Sequence, residues 1–226
     1  MQFVGFAQSK FVVDENATVR TITGSFTAVH VSSSIHLFIT KGEEETVAVS
    51  ANTEEIKGNI KTEIEDGVLK IYYKGNNYRS SFNKQMNVYV SYKILQEIKA
   101  SDASSVLIAD KLSATSLNIK VNDASVVKGE IESETLTLKL SDASVVTLSG
   151  VAKNTSIRCS DASIFNGFKL DTESADCVAS DASIINALAS KTINASASDA
   201  SIINYKGTAE IKQKSSRDGS IINRKD

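Results

Sequence analysis

Seven aspartates recur along the second half of the chain: Asp102, Asp123, Asp142, Asp161, Asp181, Asp199 and Asp218, separated by 21, 19, 19, 20, 18 and 19 residues. In a stacked fold such carboxylates would lie roughly 5 Å apart, close to the separation of acid and nucleophile in retaining glycosidases. The chemistry such a column suggests is cleavage of a polysaccharide, by a lyase or a hydrolase. Acid–base catalysis, however, needs two carboxylates in unlike environments, and a repeated column gives every Asp nearly the same one. No arginine or aromatic cluster stands beside the aspartates in sequence to hold a sugar.

Other chemistries find fewer residues still. His30 and His36 are the only histidines, spaced to sit on the same face of adjoining strand segments, with no third ligand in view for a metal. Nothing like Gly-x-Ser-x-Gly marks a nucleophile, and neither a phosphate-binding glycine loop nor zinc spacing is present. The Asp column also differs from calcium-binding glycine-rich nonapeptide coils, whose period is half as long. No catalytic, cofactor-binding or metal residue is assigned, and the chain is read as not an enzyme.

The elements that carry these aspartates follow from the repeat itself. Each Asp lies in a Ser-Asp-Ala-Ser unit or a close variant, such as Asn122-Asp123-Ala124-Ser125 and Arg217-Asp218-Gly219-Ser220. Four residues earlier stand Ile98, Ile119, Leu138, Ile157, Cys177 and Ala195; two earlier stand Ala100, Val121, Leu140, Cys159, Ala179 and Ala197. This alternation is that of a strand. One residue after each Asp come Ala103, Ala124, Ala143, Ala162, Ala182, Ala200 and Gly219, and four after it Val106, Val127, Val146, Phe165, Ile185, Ile203 and Ile222; both columns are expected in the interior.

A unit of about 19 residues cannot pack a core alone, so its apolar columns are buried only when the next unit sits on top. The fold class expected is all-β: a right-handed parallel β-helix of about seven coils, preceded by an antiparallel sheet or sandwich-like N-terminal part. The divisions expected are an N-terminal segment (1–17), an antiparallel β region (18–99) and the repeat region with a polar C-terminal cap (100–226). The aspartates are expected at turns, because Asp tolerates left-handed backbone. Asn166, Asn186, Asn204 and Asn223 are expected to form a ladder of side-chain amides.

The residue three after each Asp is also mostly apolar: Val126, Val145, Ile164, Ile184, Ile202 and Ile221. Adjacent side chains on a strand cannot both point inward, so one column should form an outward stripe, and homo-oligomer packing along it is the partner that stripe suggests.

In the first hundred residues Val29 to Ile39, Val47 with Val49, Val68 to Tyr73, and Val88 to Tyr92 read as strands, with a hairpin turn at Asp66-Gly67. The polar stretch from Lys74 to Asn83, carrying Tyr78, Arg79 and Phe82, reads as a solvated or contact loop. Cys159 and Cys177 fall in different columns and are expected as buried free thiols. With a formal net charge of -2 the chain lacks the basic field that nucleic acid requires, and no stretch approaches the ~20 apolar residues of a membrane span. Residues 1–9 look like the tail of an export signal.

The segment from Phe26 to Leu37, then Asp66-Gly67-Val68-Leu69-Lys70-Ile71, then the Ser-Asp-Ala-Ser coils together resemble the head GIN domain family, labelled "putative auto-transporter adhesin". The resemblance runs from about Val19 onward. It implies an exported protein of Bacteroidetes-type bacteria located in the periplasm, on the outer-membrane surface or outside the cell. Many members have Gly where this chain has Asp, which implies a backbone role for that position, and no catalytic or ligand residues come with the resemblance. The function expected is a cell-envelope or surface module that presents repetitive faces to glycans, host or envelope proteins, or its own copies. The alternatives are a carbohydrate-active enzyme on the Asp column, or a binder of a periodic target such as a polysaccharide or ice.

Overall fold

The computed structural model describes residues 14–75 and 85–226. Its strands are β1 (Thr18–Arg20), β2 (Ala28–Val31), β3 (His36–Lys41), β4 (Thr46–Ala51), β5 (Ile60–Glu65), β6 (Val68–Tyr73), β7 (Met86–Tyr92), β8 (Glu97–Ala100) and β9 (Ser105–Ile108). They continue as β10 (Leu112–Val121), β11 (Val126–Leu140), β12 (Val145–Cys159), β13 (Ile164–Ala179), β14 (Ile184–Ala197), β15 (Ile202–Lys206), β16 (Glu210–Ser216) and β17 (Ile221–Arg224). One short helix, α1 (Glu54–Asn59), is capped by the Thr53 hydroxyl, which accepts the amide of Ile56.

From β8 onward all pairings are parallel and join each coil to the next: Leu138 lies beside Ile157, which lies beside Cys177, which lies beside Ala195. The fold is a β-solenoid. The column four residues before the Asp is buried from Ile98 to Ala195 and the column two before it from Ala100 to Ala197, and the column four after it is buried from Val106 to Ile222. Burying each large aliphatic of these stacks stabilises the fold by about 1.5–3 kcal/mol, and only a neighbouring coil can do so. The unequal Asp spacings are absorbed by register shifts at 147–149, 167–171, 172–174 and 193–194, away from the turns, so the turn columns keep their register.

One column departs from the sequence expectation. Ala103, Ala124, Ala143, Ala162, Ala182, Ala200 and Gly219 are exposed, and the serines that follow the six alanines are the buried ones. The reason lies in the backbone. Asp and the next residue both have positive φ, 54° and 57° at Asp102 and Ala103, so these two form the projecting tip of a tight turn, closed by the Ser104 amide donating to the Ser101 carbonyl. The inward serines add a second bond between coils: the Ser144, Ser183 and Ser201 hydroxyls donate at 2.9 Å each to the carbonyls of Val121, Cys159 and Ala179 in the preceding coil, which also accept the amides of Ser141, Ser180 and Ser198.

The N-terminal part contains the antiparallel pairs β1–β4, β4–β7 and β5–β6, the last joined by a tight turn with Asp66 and Gly67 at φ 51° and 75°. It also carries two coils of the parallel stack. Strands β2 and β3 pair in parallel with β8 and β9 on one side and with β6 and β7 on the other. Ser33 and Ser34, at φ 70° and 59°, repeat the turn of the Asp units, and the Ser34 amide donates to the Asp102 carbonyl at 2.8 Å. At the far end, Gln213 to Arg217 are exposed, the polar cap of the last coil. Tyr78, Arg79 and Phe82 and the residues 1–9 read as an export signal lie outside the described residues.

Candidate functional site: the ladders on the solenoid faces

The turn ladder carries the seven aspartates of the repeat. All seven aspartates are exposed and adopt one backbone conformation, with φ between 52° and 55°. Some are held by the preceding residue: the Ser141 hydroxyl donates to Asp142 Oδ2 at 2.6 Å. The amide of each turn alanine donates to the next Asp carbonyl, Ala103 to Asp123 and Ala143 to Asp161, both at 2.8 Å. The Asp is thus defined by its backbone, which carries coil-to-coil bonds while the carboxylate faces solvent.

Beyond the turn, the outward positions of the following strand form two adjoining columns. Val126, Val145, Ile164, Ile184 and Ile202 are half-buried and Ile221 is 48% exposed, which is the outward stripe expected from the sequence. Two residues further on, Asn186 Nδ2 donates to Asn166 Oδ1 at 3.0 Å and Asn204 Nδ2 to Asn186 Oδ1 at 2.9 Å, with Asn223 continuing the series at 3.5 Å. The asparagine ladder is therefore formed. Toward the N-terminal end its register positions are taken by Thr147, Lys128, Leu107, Phe38 and Tyr89 in turn. The Phe38 and Tyr89 rings stack with centroids 5.1 Å apart beside a mostly apolar hollow of about 440 Å³.

The histidines do not act together. The Ser33–Ser34 turn lies between them; His30 Nε2 bonds Glu97 Oε1 at 2.7 Å, whereas His36 Nδ1 bonds the Ser105 hydroxyl at 2.7 Å. Among the described residues no three His, Cys, Asp or Glu side chains cluster to hold a metal. Cys159 and Cys177 are free and buried, and burial pushes the Cys159 thiol up to about 12 and the Cys177 thiol further in the same direction. Among the described residues no helix is long and apolar enough to cross a membrane.

A family model described as "Putative auto-transporter adhesin, head GIN domain" matches residues 25–209. The chain belongs to this family. Solved structures share the fold of this head GIN domain at low identity. A putative adhesin from Bacteroides fragilis is 16% identical with a TM-score of 0.81, covering 94% of this chain and 98% of its own. A putative adhesin from Parabacteroides merdae is 16% identical at 0.74, covering 93% and 97%. A protein from Parabacteroides distasonis described as "putative lipid binding protein" is 19% identical at 0.70, covering 93% and 97%. Among curated proteins nothing matches.

The columns that sequence periodicity picked out are those within one repeat. The residues three before the first four Asp, Lys99, Lys120, Lys139 and Arg158, are a basic column that sequence reasoning missed, although the same alignment would have displayed them.

Proposed function

We propose that this head GIN domain is a non-enzymatic module of the cell envelope or cell surface, exported to the periplasm, the outer-membrane face or the medium, whose repeated faces engage glycans, host or envelope proteins, or further copies of the chain. The observation that carries this reading is the sameness of the turn carboxylates. All seven Asp side chains are exposed at identical turns, so no pair has the unlike environments that acid–base catalysis needs. The half-buried Val/Ile column beside the asparagine ladder supplies a continuous face of partly apolar surface suited to a partner.

The test is binding of the purified chain to an array of glycans and matrix proteins, with turnover followed on the same glycans. Binding without turnover is expected. Turnover that vanishes on Asp→Asn change at one or two rungs would replace the reading by a carbohydrate-active enzyme. For self-association along the Val/Ile column, light scattering at high protein concentration should show a species larger than the monomer, and Ile184→Lys should abolish it.

A further inference from the structure

The strands that lead into the turns carry a third outward column. Parallel register places Lys70 beside His30, His30 beside Lys99, Lys99 beside Lys120, Lys120 beside Lys139, and Lys139 beside Arg158. Five of these six successive rungs are Lys or Arg and the other is His30, over roughly 24 Å at the ~4.8 Å spacing of paired strands. Like charges directly opposite one another destabilise a sheet. On another part of the solenoid three lysines are matched across coils: Lys111 with Glu132 at 2.6 Å, Lys153 with Glu134 at 2.7 Å, Lys191 with Glu173 at 2.5 Å.

The column itself is only partly neutralised. Glu97 bridges His30 and Lys120, Asp176 lies 3.8 Å from Arg158, and Glu65 meets Lys70. Lys99 and Lys139 form no ion pair among the described residues. The cations lie along a shallow groove of about 540 Å³, with Asn122, Ser141 and Ser160 on its far side, and Lys99 also lines an adjoining hollow of about 210 Å³ with His30, Lys70 and Tyr72.

We infer that this column is a binding site for a linear acidic polysaccharide, a chain of sugars carrying carboxylate or sulfate groups along its length. The cations supply charge-assisted bonds at regular intervals, and the side-chain oxygens of Asn122 and Ser141 in the column beside them, whose own hydrogens go to Asp123 and Asp142, can accept from sugar hydroxyls. The turn aspartates, exposed beyond that column, repel a broad anionic surface such as a bilayer while leaving one strand in the groove accessible. Nucleic acid fits less well, because among the described residues Tyr72 is the only aromatic side chain lining the two hollows, where bases would need stacking platforms. The inference rests on the proposed binding role and names the ligand class for one face.

The experiment measures affinity of the full chain for polygalacturonate, dextran sulfate and neutral dextran, with the variants Lys99→Glu/Lys139→Glu, Lys99→Gln/Lys139→Gln and, as a control off this face, Lys214→Glu. The wild type should bind one or both acidic polymers and not dextran, the Glu pair should weaken binding at least about tenfold and the Gln pair by less, Lys214→Glu should leave it unchanged, and added salt should weaken it. Unchanged circular dichroism and melting midpoint identify a folded variant, and the Gln pair keeps the test valid where the Glu pair unfolds. Absent binding to both acidic polymers, binding to dextran equally well, or full affinity in both double variants would overturn the inference. So would capture of DNA or phosphatidylglycerol vesicles in place of acidic polysaccharide. Binding to neutral glycans or matrix proteins without the acidic polymers would sink this inference and leave the proposed function standing, whereas silence on every probe would sink both.

Discussion

The amide of Ala143 donates to the carbonyl of Asp161 in the next coil at 2.8 Å, and the two residues hold φ of 57° and 53°. A side chain at the Asp position is therefore admitted only if it tolerates left-handed backbone. Asp161→Gly should leave the melting midpoint close to that of the wild type, whereas Asp161→Val should cost about 1–2 kcal/mol or more, since a β-branched residue is poorly accommodated at positive φ. Equal unfolding free energies for the two variants in urea would show that the backbone conformation does not select the residue.

Thr155 occupies an interior position between Leu136 and Ala175 and is 4% exposed, and its hydroxyl finds no hydrogen-bond partner among the described residues. Replacing an unpaired buried hydroxyl by a methyl of similar shape removes a desolvation penalty of about 1–3 kcal/mol. Thr155→Val should raise the melting midpoint or leave it unchanged. A clear fall would mean that the hydroxyl is satisfied in solution.

Cys159 and Cys177 lie inside the stack, where burial raises both thiols far from the thiolate form. The folded chain should react negligibly with a thiol reagent at pH 8, and both thiols should become titratable in denaturant. Rapid labelling of either one in the native protein would place it at the surface.

Burial alone would raise the Glu97 carboxyl, but hydrogen bonds from His30 and Lys120, together with their charges, outweigh it and hold the group below the usual range for Glu. A carboxyl lowered on folding contributes stability that is fully present above the unfolded value of about 4.3 and is lost as pH falls through the folded one. Unfolding free energy measured from pH 6 down to pH 3 should therefore decline less steeply in Glu97→Gln than in the wild type. Identical slopes would mean that Glu97 is not linked to folding.

Much of this molecule was legible locally. Alternation of period two marks which side of a strand is buried, so the columns of Ile119, Val121 and Val127 followed from spacing alone, as did the outward stripe of Val126 and Val145. The asparagine ladder followed as well, because every rung lies in the repeat. The Ala103 column was misplaced because alternation breaks where two successive residues take left-handed backbone, and a small apolar residue then reads as interior when it stands at an exposed tip. The buried serines were hidden for the complementary reason: a polar residue enters the core when a carbonyl of the neighbouring coil accepts its hydroxyl hydrogen, as Val121 does for Ser144.

What the sequence by itself determined is the repeat: its period, its turn residue, its interior columns and its polar last coil. Only the tertiary structure decided that β2 and β3 enter the stack between β6–β7 and β8–β9, because parallel pairing joins His30 to Lys70 and to Lys99 across 40 and 69 residues and leaves no local signature. The same pairing carries the lysine column past the first repeat to His30 and Lys70. Charge at such a surface depends on which rungs are adjacent in space, and adjacency is settled by register between coils, which coil-to-coil backbone bonds impose and composition does not encode.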